Sequence, residues 1–566
     1  MFTLKRLTTG LVIAIEGLVL FLFQRLDPDS FHSGLVYAQG IAVSNGLLPN
    51  KNFLSPYGVV GPLVNGAWLY LIDDTLLSLN LLYGLLIVCS GYLVQRNAVR
   101  YLDYKLAILL NLTWVMTLAS VIPWPSILAN FLILVSFTIL IDHKDKAFYK
   151  EESFHIYLVP VVVLLQLSVL TRIHLAITLV LISAFIIVFQ KYVNKSFVIC
   201  WFVYNLFIFL LFILLMLRSG VFQDWFYQVV IWPATEFDSP PITLSYIFSL
   251  MWFPFGLIYC LFILRVNLFA IADRSRKRLL LITISNIALF YLVYFISTRN
   301  YDVTKTSTFK TLPGFLKNSS ENLQFFLGFS AAMMVFFGAI QSLLQIRWTK
   351  NKSFIETRRW EKFLLIALGL TGIAQLYPLN DNVHIWFVTP LLLIPAAYFS
   401  KSFLMKSRSS SISFSLMLVA FLVVQSVSAY DIFKIDRVNL VSYEQRGLLG
   451  SKFYFSSVDQ TIVLLAKHVK GRELRNNCIQ GIFAVSGGKY NSIDGNFSSN
   501  SYEKFAQTIP TVDPSEKESK YILECNLTYD GLLRASETYS QVVFKLNLNS
   551  SSDPVLSTYN VLFTRK

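Results

Sequence analysis

The chain has 566 residues, of which 55% are hydrophobic and 14% are charged, whereas soluble proteins carry roughly 25% charged residues. This composition excludes an ordinary soluble protein and predicts a bundle of membrane helices with an appended domain, since the chain is too long for one soluble domain. The net charge of +15 does not indicate nucleic-acid binding, because much of the Lys and Arg clusters between apolar segments, as the signals that orient membrane helices do. We therefore expect membrane lipids, and no nucleic acid, among the partners.

Fourteen apolar segments lie between residues 10 and 430. The first, 10–25, follows Lys5 and Arg6 and contains Glu16, and we expect it to be a retained span with a cytoplasmic N-terminus. The others are 59–72, 76–94, 106–122, 124–141, 154–170, 175–190, 197–216, 242–264, 279–297, 324–344, 363–377, 385–400 and 412–430. An ionisable residue inside a span is costly, so Glu16 is either functional or paired with a neighbour inside the bundle, and we favour the pairing.

The distribution of Lys and Arg predicts how these segments cross the membrane. Basic loops face the cytoplasm, and they alternate with loops that carry fewer basic residues. The basic loops are 265–278, 345–362 and 401–408, and the loops between them are 217–241, 298–323 and 378–384. Counts from the two ends of the chain differ by one span, which indicates that the short segment 59–72 is a re-entrant or juxtamembrane helix. About thirteen spans in the plasma membrane follow, with the C-terminal region outside.

The region 436–566 differs in composition from the rest, because polar residues return and no spanning segment remains. We expect a small external α/β or α+β domain with an amphipathic helix at 459–470. Its strands are predicted at 480–485, 521–527, 541–548 and 558–564. Cys478 and Cys525 either form one disulfide outside the cell or remain two thiols.

The first polar loop, 26–57, is the best candidate for chemistry. Asp27, Asp29 and His32 occur within six residues directly after the first span, and ionisable groups at a membrane edge are candidates for a site. Asp27-Pro28-Asp29 is a D-x-D pattern, although no Gly-rich nucleotide-binding unit accompanies it. The alternative is a pair of solvated carboxylates that cap the next helix.

The early acids of the first loop are followed by a series of short motifs, which are His32-Ser33-Gly34, the turn Pro49-Asn50-Lys51-Asn52-Phe53, Tyr57-Gly58 and Pro62. This pattern resembles the first external loop of the GT-C superfamily, polytopic glycosyltransferases that take sugar from a polyprenyl-phosphate carrier. The superfamily includes the protein O-mannosyltransferases and the aminoarabinose transferases of lipid A. Asn52 stands where many members have a second acid. The motifs cover about 27–62, and the architecture covers about 1–430.

A second stretch, 377–384, is similar to the "F-P-R-x-D-x-x-H" stretch of many bacterial relatives. Leu379 stands where that pattern has Arg, which puts a phosphate role for this position in doubt. Asp381 and His384 are three residues apart and would share one face of a helix. Alternatively, they cap the adjoining helices.

The resemblance implies sugar transfer at the outer face, from a polyprenyl-phosphate-linked donor to a hydroxyl of a glycan, lipid or protein, with inversion. It implies Asp29, then Asp27, as the general base, with His32 as a third catalytic candidate. Cations are needed for the leaving phosphate, and external Arg is scarce, although each such Arg could instead be a snorkelling anchor. The substrate-binding candidates are Arg172, His174, Arg299, Tyr57, Asp381 and His384.

Other classes of protein stay open. A lipid-linked glycan ligase or polymerase uses the same donors, but typically places its large external loop late in the chain. A transporter more often shows repeated halves, and none are visible. A non-catalytic scaffold is kept open by Asn52 and Leu379. No cofactor is certain, and the sequence leaves a divalent metal undecided.

Overall fold

The structure is a computed structural model that describes a helical part and six strands. The residues described are 2–24, 32–53, 55–115, 123–143, 155–188, 193–231, 355–375, 382–403, short pieces between 331 and 339 and between 415 and 422, 440–443, 448–451, 474–476, 521–527, 541–547 and 559–564. The segments predicted at 242–264 and 279–297, the helix at 459–470 and the strand at 480–485 lie outside these residues.

Most of the described helices overlap apolar segments predicted from the sequence. They are α1 (Phe2–Gln24), α2 (His32–Ser44), α3 (Val60–Leu71), α4 (Leu76–Ala98), α5 (Tyr104–Val115), α6 (Pro125–Asp142), α7 (His155–Thr171), α8 (Ala176–Val188), α9 (Lys195–Ser219), α10 (Phe222–Phe226), α11 (Ile355–Ala374) and α12 (Asn382–Phe403). Of these, α2 and α10 are additional helices in polar connections, and a 3-10 turn, Ile173–Leu175, joins α7 to α8.

Three of the described helices, α4, α6 and α9, are long and apolar enough to cross a membrane. Most of α4 and α6 is buried among other helices, whereas only 11% of the most apolar window of α9 is buried. The exposed face of α9 consists of large apolar side chains such as Phe207 and Leu214. A helix that is this apolar and this exposed needs a lipid environment, so the chain is a membrane protein.

Polar contacts fix the directions of α1, α4 and α5. Thr9, near the start of α1, lies 2.8 Å from the Tyr104 hydroxyl at the start of α5 and accepts from Gln95 at the end of α4 at 3.4 Å. In mid-helix, Asn111 donates to Glu16 at 2.7 Å. Therefore α5 runs parallel to α1 and α4 runs antiparallel to both. Glu16 is fully buried and paired inside the bundle, as predicted.

The helix α6 runs parallel to α4, because the far ends of the two helices are bonded to each other. Asn97 donates to Thr138 at 2.8 Å, and Arg96 forms an ion pair with Asp142 at 2.7 Å. The start of α6 therefore lies at the end of the bundle where α4 begins and α1 ends.

Two further contacts add α7 and α12 to this arrangement. Arg172, directly after α7, donates to the Ser126 hydroxyl in the first turn of α6. Asn130, in the second turn of α6, donates to the Phe387 carbonyl in the second turn of α12 at 2.9 Å. The ends of α1, α5 and α7 and the starts of α4, α6 and α12 thus lie together, at what we call the first-loop end of the bundle.

The helix α3 begins and ends at this same first-loop end. The amide of Val59, before α3, donates to the Leu170 carbonyl at 3.1 Å, and α4 starts at the first-loop end directly after α3. The helices α2 and α3 pack closely through glycines, since a Cβ on Gly66 would lie 2.4 Å from Val43 Cβ. Small residues permit this close approach of helix backbones.

The described C-terminal residues form two sheets. Strands β1 (Leu440–Tyr443) and β2 (Leu448–Ser451) pair antiparallel. A second sheet has the order β3-β4-β6-β5, with β3 (Leu474–Asn476) parallel to β4 (Tyr521–Leu527) and the other pairs antiparallel. Strands β5 (Gln541–Asn547) and β6 (Tyr559–Thr564), like β4, occur where they were predicted. The placement of this region outside the membrane stays a prediction.

Candidate functional site

The structure describes the side chains of three predicted site residues, Tyr57, Arg172 and His174. The predicted residues outside the described part are Asp27, Asp29, Arg299 and Asp381. For His32 and His384 the structure gives the helical backbone, at the start of α2 and in the first turn of α12.

The chain on either side of the predicted acids is attached to the first-loop end. Asp27 follows the end of α1 by three residues, and Asp381 directly precedes α12. Both helix termini lie at the end of the bundle where Arg172 contacts Ser126. The described residues that flank the two predicted patches therefore lie at the same end of the helical bundle as Arg172.

Arg172 is fixed in the connection between α7 and α8. Its extended backbone (φ −149°, ψ 108°) ends α7 and opens the 3-10 turn, and its amide donates to the Ser168 carbonyl at 2.9 Å. The half-buried guanidinium donates to the Ser126 hydroxyl, and its Cζ lies 5.3 Å from the centre of the Tyr57 ring. This side chain is held against α6 and the first loop by a hydrogen bond and a cation–π contact.

One nitrogen of this guanidinium has no partner within the described part of the chain. Nε of Arg172 is buried and makes no hydrogen bond there. Burial lowers the pKa of Arg172, and the nearby Tyr57 phenol opposes that effect. An arginine nonetheless keeps its charge, so a positive group with an available donor lies at the first-loop end.

Tyr57 lies between this cation and a tryptophan. Its ring meets Trp124 edge-on, with the ring centres 4.9 Å apart. Trp124 precedes α6 with an extended backbone, and Pro125 follows in the first helical turn, where its fixed φ suits a helix start. Burial raises the pKa of Tyr57, while the charge of Arg172 lowers it. Tyr57 therefore stays protonated at neutral pH.

A glycine explains how the first loop reaches Arg172. Gly58 has φ +132°, and a Cβ there would lie 2.1 Å from the Leu170 carbonyl oxygen. Only glycine tolerates both that dihedral angle and that distance. The Ser55 hydroxyl donates to the Gly58 carbonyl at 2.6 Å. The sequence resemblance singled out Tyr57-Gly58, and the structure gives the physical reason for the glycine.

His174 lies two residues beyond Arg172 in the 3-10 turn and is exposed.

Within the described residues, no group of three or more His, Cys, Asp or Glu side chains could bind a metal ion. Cys89 and Cys200 are free thiols.

The structure adds residues that sequence reasoning missed. Ser126 and Asn130 are buried polar residues at the start of α6, and Gln228 is buried against the first loop. A polar residue inside an apolar segment is costly without a partner, so the sequence did carry a signal for Ser126 and Asn130. Gln228 lies in a polar connection and offered no such signal.

Comparisons with known proteins find similar solved structures but no similar sequence. No known family profile matches the chain, and no curated protein is detectably similar in sequence. The structure is similar to that of ArnT from Cupriavidus metallidurans bound to undecaprenyl phosphate, with 10% identity and a TM-score of 0.44, over 98% of this chain and 97% of that chain.

Two archaeal structures are similar at the same level. One is the Archaeoglobus fulgidus oligosaccharyltransferase in complex with zinc and sulfate, with 13% identity and a TM-score of 0.47, over 97% of this chain and 72% of that chain. The other is oligosaccharyltransferase AglB from Archaeoglobus fulgidus with an inhibitory peptide and a dolichol-phosphate, with 13% identity and a TM-score of 0.41, over 98% of this chain and 74% of that chain. The likeness concerns the arrangement of the chain, and no function follows from it alone.

Proposed function

We propose that the protein is a membrane glycosyltransferase that moves a sugar from a polyprenyl-phosphate donor to an acceptor hydroxyl at the outer face of the membrane. The observation that carries the proposal is the half-buried guanidinium of Arg172, at the bundle end to which the chain flanking both predicted patches is attached. The acceptor would be a glycan, a lipid or a protein.

Arg172 would bind the phosphate of the donor. A guanidinium presents its donors as a planar fork that matches phosphate oxygens. Ser126 accepts from one side of this fork, and Nε has no partner among the described residues. Because the guanidinium is half-buried, its attraction for an anion is stronger than in bulk water. The same charge would stabilise the leaving phosphate during transfer.

A carboxylate of the first loop would act as general base. In this mechanism Asp29, or failing it Asp27, takes the proton of the acceptor hydroxyl as the oxygen attacks the anomeric carbon. The phosphate leaves from the opposite face of the sugar, so the configuration inverts. His32 and His384 would orient these groups or share the proton. His174, Arg299, Tyr57 and Asp381 would contact the substrates.

The proposed orientation puts the first-loop end outside the cell. The N-terminus would then be cytoplasmic, and about thirteen spans in the plasma membrane would leave the region 436–566 outside. The return of α3 to the first-loop end supports a juxtamembrane or re-entrant helix, since α4 then starts on the side where α1 ends. The helix α3 has 12 residues, which are too few to span a bilayer. This length supports a peripheral position of α3.

Single substitutions in the first loop test the reaction. Cells whose own copy is deleted would express Asp29→Asn or Asp27→Asn, and polyprenyl-phosphate sugars would be measured in lipid extracts by mass spectrometry. The wild type consumes the donor, so the deletion strain and the Asp29→Asn strain are expected to accumulate it. Asp74→Asn, an exposed carboxylate in the connection before α4, is the control and should behave as wild type.

Two results would contradict the proposal. Donor consumption at the wild-type level in both Asp29→Asn and Asp27→Asn cells would remove the catalytic role of the loop. Absence of any accumulated polyprenyl-phosphate sugar in the deletion strain would remove the donor class itself. Immunoblots of the membrane fraction establish that each variant is present at the wild-type level.

A further inference from the structure

Two unusual backbone segments, far apart in sequence, meet beside the first loop. Asn50 has φ +65° and is the one residue other than glycine with a positive φ within the described part of the chain. The segment Tyr227–Ile231, which follows α10, is a π-helical turn. Both conformations are rare, and both occur preferentially at functional sites.

A buried glutamine joins these segments. Gln228 Oε1 accepts from Asn50 Nδ2 at 2.7 Å and from the Ser55 amide at 3.0 Å. Gln228 Nε2 donates to the Asn50 carbonyl at 2.8 Å. Asn50 Nδ2 also donates to the Ser55 carbonyl at 2.8 Å, and all three residues are buried. The side-chain amide of Gln228 thus uses both its oxygen and its nitrogen to fix the turn at Asn50.

This turn is connected to the Arg172 region by short hydrogen bonds. The Ser55 hydroxyl donates to the Gly58 carbonyl at 2.6 Å, and the next amide, of Val59, donates to the Leu170 carbonyl at 3.1 Å. Tyr57 lies inside this stretch and contacts Arg172 through its ring. Displacement of the turn would therefore displace the aromatic ring that packs on the guanidinium.

A second contact joins the first loop to the region around α9 and α10, and it is weaker. Lys51 Nζ donates to the Ser219 carbonyl at the end of α9 at 2.9 Å, where the helix dipole favours a cation. Lys51 is exposed, and solvated contacts of this kind contribute little. The buried Gln228 contacts therefore determine how the turn is fixed.

One side of the segment around Gln228 is buried in the protein. Trp225 and Asp224, in α10, are 4% and 7% exposed. Phe226 and Ile231, in the same stretch, are exposed. The buried side of the stretch therefore carries Gln228 to the first loop.

We propose that Gln228 is a positioning residue for the donor phosphate: it fixes the Asn50 turn, which places Tyr57 against Arg172. This proposal rests on the proposed function, in which Arg172 binds a polyprenyl phosphate. Gln228 would act through Arg172 and would not touch the substrate itself.

The test uses the full-length protein in nanodiscs and two measurements. The first is hydrogen–deuterium exchange of peptides covering 47–59, and the second is the affinity for undecaprenyl phosphate. Gln228→Leu keeps the side-chain volume and removes every hydrogen bond of the amide. It should raise exchange in 47–59 and weaken lipid binding, each by at least about tenfold, since the loss of even one of these buried hydrogen bonds implies a change of that size. Exchange in α6 should not change.

Gln166→Leu is the matched control. Gln166 is also buried, in α7, and its amide donates to Asn205 at 3.2 Å, away from the first loop. This variant should leave both measurements at the wild-type level. Gln228→Glu keeps the acceptor and loses the donor toward Asn50, so its exchange should fall between those of the wild type and Gln228→Leu.

A double variant separates positioning from general loss of stability. In an Arg172→Lys background, Gln228→Leu should weaken lipid binding by clearly less than in the wild type, since the group that it positions is already altered. Equal weakening in both backgrounds, or unchanged exchange in 47–59, would overturn the proposal. If wild-type protein does not bind undecaprenyl phosphate, the proposed function fails, and the exchange measurement still decides whether Gln228 fixes the turn.

Discussion

Ser126 and Asn130 lie one helical turn apart on the same face of α6, and together they bind the connections on both sides of the candidate site. The Ser126 hydroxyl accepts from Arg172. Asn130 donates to the Phe387 carbonyl and accepts from Gln375 Nε2, each at 2.9 Å. Gln375 directly follows α11, so Asn130 bonds to residues before and after the connection 376–381. One face of α6 thereby fixes Arg172 and the described residues on both sides of the connection 376–381.

Replacing Asn130 by alanine should disturb this second connection. Gln375 would lose its acceptor in a buried setting, which costs about 1–3 kcal/mol. We expect a lower unfolding temperature in detergent and accumulation of the polyprenyl-phosphate donor in cells. Asn97→Ala is the control, because Asn97 is equally buried and bonds to α6 at the opposite end of the bundle.

Asn130→Ala and Asn97→Ala together distinguish a local effect on the candidate site from a general loss of stability. Both should lose similar stability, and only Asn130→Ala should lose transfer beyond what its amount in the membrane explains. Equal transfer per folded molecule in both variants would show that Asn130 supports the bundle and not the site.

Arg172→Lys keeps the charge and removes the planar fork. Because one lysine nitrogen cannot serve Ser126 and a phosphate in the same geometry, we expect affinity for undecaprenyl phosphate to fall at least about tenfold, which corresponds to about 1.4 kcal/mol. Arg96→Lys provides the comparison, since Arg96 pairs with Asp142 at the far end of the bundle. Unchanged lipid affinity in Arg172→Lys would exclude a bidentate phosphate contact.

Gly58→Ala tests whether the first loop must approach α7 closely. An added Cβ would meet the Leu170 carbonyl, and the positive φ adds about 1–3 kcal/mol of backbone strain. We predict a lower unfolding temperature and faster proteolysis within the first loop. Gly17→Ala is the matched substitution, because Gly17 is helical with open space around it, and alanine there favours the helix by up to about 1 kcal/mol. A Gly58→Ala protein as stable as wild type would mean that the loop does not make this contact.

Substitutions of Glu16 distinguish a structural role of this buried acid from a role in the reaction. Glu16→Gln keeps an oxygen that can accept from Asn111, so folding and transfer should both remain near the wild-type level. Glu16→Leu leaves the buried Asn111 amide without that acceptor and should lower the unfolding temperature, with a cost of about 1–3 kcal/mol. Loss of transfer in a stable Glu16→Gln protein would instead assign Glu16 a role in chemistry.

Much of the helical part could be predicted, because an apolar segment of sufficient length has few alternatives to a helix in a membrane. The start of α6 at Pro125 follows from a local backbone preference. The sequence also indicated that Glu16 needs a partner, and could not indicate which one. Each of these inferences depends on neighbours along the chain.

The contacts that build the candidate site depend on distant residues. Asn50 and Gln228 are 178 positions apart, and Asn130 and Phe387 are 257 apart. Each of these side chains could be paired in many ways, and only the packing of the helices selects one. Arg172 was predicted as a phosphate-binding residue from the family resemblance and from its expected location on the outer side, while its contacts with Ser126 and Tyr57 required the fold.

The return of α3 to its starting side has a consequence for how the chain can be mapped. From residue 25 to residue 75 the polypeptide makes no net passage through the bundle, although it contains an apolar helix. Epitopes inserted after Ser44 and after Ile72 would therefore be reached by antibody from the same compartment. Counting that helix as a crossing would assign each later loop to the wrong compartment, including the one that contains Arg172.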